Sequence, residues 1–102
     1  MGRRAKIDVP LDRISIFCKK SHIRRLALFG SVLSDKFGKE SDIDVLVEFE
    51  PGQIVGLLRI AGMERELSDL FGRPVDLRTP SDISRHFRTE VLASAEVQYA
   101  EG

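Results

Sequence analysis

Leu28-Phe29-Gly30-Ser31, the ten residues from Val32 to Ser41, and then Asp42-Ile43-Asp44-Val45-Leu46-Val47-Glu48-Phe49 form the stretch that decides how the rest of the chain is read. The segment Ile23 to Phe29 is rich in apolar residues and stops at Gly30-Ser31, the pattern of a strand running into a tight turn. From Asp42 the chain alternates and then becomes almost continuously apolar to Phe49, which suits a central strand. Residues two apart on a strand share a face, so Asp42 and Asp44 stand side by side and Ile43 points to the opposite side. Two like charges so close repel, and water or a cation must stand between them. Hard oxygen donors on neighbouring positions are what Mg²⁺ takes, with substrate phosphates and waters completing its shell. Alone, an Asp-x-Asp triplet is equally a carboxylate at a strand entrance and another in solvent. An EF-hand fits less well still, because the acidic pattern stops at Leu46 and the loop glycine is missing. Gly30-Ser31 adds the second half of a site: glycine lets backbone approach a ligand, and serine places a hydroxyl beside exposed N–H groups, which suits a phosphate.

Outward from this stretch the elements follow in order. Val9 to Lys20 carries Leu11, Ile14, Phe17 and Cys18 at near-helical spacing, with Pro10 where a first turn tolerates it. A polar loop centres on Gly38, and Glu50-Pro51-Gly52 is a turn. Between Gly56 and Phe71 the residues Ile60, Met63, Leu67, Leu70 and Phe71 recur at helical intervals, and Gly72 stops the helix. Arg73 to Thr79 is a third strand, with Asp76 the one acid between Val75 and Leu77. After Pro80, Ser81 and Asp82 begin a last helix with Ile83, Phe87, Val91 and Leu92 on one face. The expected fold is α/β leaning to α+β, a single domain over residues 1–102 with a three-stranded sheet covered by helices. The pairing of strand edges is left open.

Composition narrows the function. Sixteen basic residues balance sixteen acidic ones, so the molecule lacks the field that draws nucleic acid regardless of sequence. The basic pairs Arg3-Arg4, Lys19-Lys20 and Arg24-Arg25 read as solvated charge. One cysteine, Cys18, cannot form an internal disulfide and reads as a small core residue beside Ile14 and Phe17. His22 and His86 have no second ligand at metal spacing, which argues against zinc. Arg85, His86 and Arg88 read as a wet helix face, and Tyr99 as terminal packing or fraying. No stretch approaches the roughly 18 apolar residues of a membrane span, and a cytoplasmic location is the expectation.

The combination of strand, Gly30-Ser31, a ten-residue spacing and Asp42-Ile43-Asp44 resembles the signature of the DNA polymerase β-like nucleotidyltransferases. It is most similar to the minimal bacterial and archaeal group, in which members act as antitoxins beside a HEPN ribonuclease toxin. The resemblance implies a nucleotidyltransferase-like mixed sheet, two Mg²⁺ ions held by Asp42, Asp44 and Asp76, and ATP as nucleotide, with Gly30 and Ser31 against its β- and γ-phosphates. It implies transfer of AMP to a hydroxyl, a tyrosine of the HEPN toxin partner, within a hetero-oligomer. A second alternative for Asp76 is a solvent-facing residue paired with Arg73 or Arg78. One departure stands out: the group commonly has arginine three residues after the motif serine, and this chain has Ser34, with Lys36 and Lys39 in the same loop. That departure keeps a second function open, a catalytically inactive fold that neutralises its partner by binding.

Overall fold

The computed structural model describes residues 7–38 and 40–101. Helix α1 spans Leu11–Lys20 and buries Ile14, Phe17 and Cys18, the three positions at helical spacing that face the sheet. Strand β1, Ile23–Phe29, leads into a 3₁₀ turn at Gly30–Leu33, and β2 is Ile43–Phe49. Helix α2, Leu57–Phe71, buries Met63 and Leu67 and ends at Gly72 in the left-handed region (φ 69°). Strand β3, Val75–Arg78, is followed by a 3₁₀ turn at Pro80–Asp82, helix α3 at Arg85–Ser94 and strand β4 at Glu96–Ala100.

The sheet has four strands in the order β3-β2-β1-β4. This corrects the three-stranded expectation. Glu96-Val97-Gln98-Tyr99 alternates polar and apolar residues, the pattern of a strand, over too few positions at the chain's end to be told from fraying. β4 pairs antiparallel with β1 through Leu26↔Tyr99 and neighbours, and Tyr99 packs against the core. β1 and β2 are also antiparallel, with Leu28 opposite Val45 and Phe29 opposite Asp44. β2 and β3, joined across α2, are parallel, as a helical crossover permits. The sheet is therefore mixed.

The last helix departs from the expected apolar face as well. Ile83 lies before it, Val91 and Leu92 are half-buried, and Phe87 is exposed. The core proper lies between α1, α2 and the sheet: Ile23, Leu26, Leu28, Ile43, Val45, Val47 and Leu67 are fully enclosed with Ile14 and Phe17. Cys18 belongs to this core, and burial pushes its thiol up to about 12. A thiol so raised is unreactive at neutral pH. Arg3, Arg4 and Lys39 lie outside the described residues. None of the helices among the described residues is long and apolar enough to cross a membrane.

Candidate active site at the Gly30 turn and the heads of β2 and β3

The end of β1 and the beginnings of β2 and β3 meet at one edge of the molecule. Gly30 leaves β1 with φ +75°, a conformation L side chains rarely adopt. Space is the second reason for glycine there. A Cβ at position 30 would overlap Asp44 Oδ2 and lie 3.2 Å from Asp44 Cγ. The turn is therefore shaped around a carboxylate, and the backbone N–H of Ser31 donates to it. One amide of the turn is thus given to Asp44.

Register brings the acids together. Asp44 on β2 is the Cα partner of Asp76 on β3, in a parallel ladder where paired residues carry their side chains on one face. Asp42 lies just before β2 and is exposed, while Ile43 between the two acids is fully buried, as alternation requires. Burial raises the Asp44 carboxyl above the ordinary range, and the charges of Asp76 and Asp42 raise it further. The Arg78 guanidinium and the Ser31 amide pull it back only in part. Asp44 thus has two further carboxylates around it and too little positive charge to balance them. Hard oxygen donors on adjacent strands, with this excess of negative charge, fit a divalent cation. Among the described residues no three acidic, imidazole or thiol groups are gathered as a ready-made metal cluster. Asp76 is instead held by Arg78, whose Nη2 and Nε donate to Asp76 Oδ2 at 3.0 and 3.3 Å.

The framework that sets these positions was not read from the sequence. β3 is an edge strand, and α2 takes two of its amide donors: Leu77 N–H donates to Glu64 Oε2 at 2.8 Å and Val75 N–H to Ser68 Oγ at 3.0 Å. Asp76 lies between these two fixed residues. Arg73 pins the loop ahead of β2, donating through Nη2 to the carbonyls of Gly38 and, at 2.9 Å, Ser41, while its guanidinium stacks 4.1 Å from the Phe37 ring centroid. Of the two arginines considered as partners of Asp76, Arg78 fills that role and Arg73 holds the loop. The Glu64 and Arg73 roles depend on side chains meeting across long sequence separations, for which a single sequence carries no spacing signal. Ser34 braces the turn, its Oγ donating to the Ser31 carbonyl at 3.0 Å and accepting from Lys36 N–H at 3.2 Å. The Ser34 hydroxyl thus has a local structural role.

The chain is similar in sequence and in fold to known nucleotidyltransferases. Residues 12–97 match the nucleotidyltransferase domain family. A protein adenylyltransferase, MntA, of Thermococcus cleftensis is 34% identical over 70 residues, 69% of this chain and 69% of its own length. A minimal nucleotidyltransferase of known structure superposes with a TM-score of 0.69 at 30% identity, over 83% of this chain and 85% of that one. At 17% identity the fold is also that of a chain in a complex of a tri-AMPylated Shewanella oneidensis HEPN toxin with its MNT antitoxin. There the TM-score is 0.64, over 88% of this chain and 69% of that one.

Proposed function

The chain belongs to the nucleotidyltransferase domain family, and from that premise we propose that it transfers AMP from ATP, with Mg²⁺, to a hydroxyl of a HEPN-type toxin, acting as its antitoxin. The observation that carries the reading is the pairing of Asp44 with Asp76 around a glycine whose missing side chain makes room for the Asp44 carboxylate. The name of the Thermococcus relative supports adenylyl transfer. The AMPylated toxin in the Shewanella complex supports the acceptor class, of which a tyrosine hydroxyl is the proposed member.

Asp42, Asp44 and Asp76 would hold two Mg²⁺ ions. Bound there, the ions supply a lowered pKa at the acceptor hydroxyl and neutralise charge on the triphosphate and the departing pyrophosphate. The chain's own contribution is placement. Gly30 brings the turn to the carboxylate, and the Ser31 amide favours the charged form of Asp44. Gly30 and Ser31 form the surface against which the β- and γ-phosphates rest. Arg73 holds the loop that presents Asp42. Catalysis of this kind is positioning and electrostatics, with little covalent work for the protein. The acceptor is supplied by the partner, so the two proteins would form a hetero-oligomer in the cytoplasm.

Purified protein with Mg²⁺, α-labelled ATP and its cognate partner is expected to label the partner, and Asp42→Asn with Asp44→Asn to abolish the label. Equal labelling by the double variant overturns the catalytic assignment. Ser34 favours one second reading, a binding module that silences the partner by covering it, since the turn lacks the usual arginine there. In that case the same double variant still binds and silences the partner.

A further inference from the structure

We infer that Arg78 is a built-in counter-ion of the acidic site, occupying the Asp76 carboxylate when no divalent cation is bound and competing with the cation for it. The inference rests on reading Asp44 and Asp76 as metal ligands and concerns what regulates their occupancy. Arg78 stands two residues after Asp76 on β3, so both side chains share a face while Leu77 is buried on the other. Both guanidinium contacts fall on a single oxygen, Oδ2, at 3.0 and 3.3 Å. The charge also reaches Asp44 and Asp82, and these acids favour the charged guanidinium in return. Arg78 is thereby the cation of a patch in which Asp42, Asp44 and Asp76 otherwise repel one another.

Two consequences follow from Coulomb's law. Without metal, Arg78 relieves repulsion and holds Asp76 in place. With metal, a divalent ion and a guanidinium cannot both approach Oδ2 closely, so the arginine must withdraw from that oxygen. Its side chain is 48% exposed, which leaves room to do so. The result is a site that stays assembled when empty and binds its ion less tightly than three bare carboxylates would.

Mn²⁺ titrated into the full chain, followed by calorimetry at low ionic strength, tests this without reference to turnover. Arg78→Ala is expected to bind Mn²⁺ roughly threefold to fivefold more tightly than wild type, the scale of an exposed ion pair, with the gap narrowing at high salt. Arg78→Lys, which keeps the charge, is expected to stay near wild type. Without metal, Arg78→Ala is expected to melt about 2–4 °C lower, and saturating Mn²⁺ to close that gap. Equal or weaker Mn²⁺ binding by Arg78→Ala, while Asp44→Asn abolishes binding, overturns the counter-ion role and leaves the metal site standing. Failure of wild type and Arg78→Ala alike to bind Mn²⁺ overturns both.

Discussion

Two tight turns, one closing β1 and one following β2, both need glycine, for different reasons. Gly30 and Gly52 share the left-handed backbone, at φ +75° and +86°. Around Gly52 nothing would meet a Cβ within 4 Å, whereas at Gly30 the added atom would overlap Asp44. One glycine serves the chain's path alone, and the other serves the path and a carboxylate. A shared backbone conformation thus says where the chain turns, and only the close approach says where the chemistry lies.

The contrast is broken most severely at its chemical end. Asp44→Asn is expected to reduce AMP transfer to background in a labelling assay while raising the melting temperature at neutral pH by a few degrees. The sign follows from the raised Asp44 carboxyl. The folded chain holds that proton more tightly than the unfolded one, so stability falls as pH rises from the ordinary aspartate range through the raised one. Asparagine carries no such charge, and the difference from wild type disappears in acid, below the ordinary aspartate range. A variant that melts lower than wild type at pH 7 contradicts the crowding of charge described for the site.

Gly30→Ala comes next. Displacing a carboxylate by about 1 Å can cost on the order of a hundredfold in rate, and that loss in kcat is expected from protein that circular dichroism shows to be folded. Arg73→Ala frees the loop before Asp42 from two carbonyls and a ring. It is expected to reduce turnover by about tenfold, with partial recovery in Arg73→Lys, a smaller loss since Asp44 and Asp76 keep their supports. Gly52→Ala should lower stability by about 1–2 kcal/mol in urea unfolding through backbone strain alone, with activity per folded molecule unchanged. The smallest effect belongs to Cys18, enclosed on α1: iodoacetamide is expected to leave it unmodified in native protein and to modify it after denaturation.

Much of this is legible in the sequence. The spans of β1 and of the strand following Asp42 follow from short apolar runs ended by turn residues, and the Met63 and Leu67 face of α2 and the core position of Cys18 from helical periodicity. The Gly30-Ser31 turn and the acids were legible as a motif, and the parallel register then sets Asp44 opposite Asp76. β4 escaped because its five residues carry weak alternation, and its pairing with β1 is a long-range contact. Glu64 and Ser68 are polar residues of an amphipathic helix, with nothing in their spacing to set them apart from its solvent-facing positions. Their use, satisfying the edge amides of β3, becomes visible only when the helix is laid against that strand.

The most direct test of the site is ATP titrated, with Mg²⁺ present, into wild type, Gly52→Ala, Gly30→Ala and Asp44→Asn, each verified as folded. Binding by wild type and Gly52→Ala, with loss in Gly30→Ala and Asp44→Asn, is the result predicted here. Wild-type affinity in folded Gly30→Ala would contradict it, because the carboxylate held against that glycine would then have no part in holding the nucleotide.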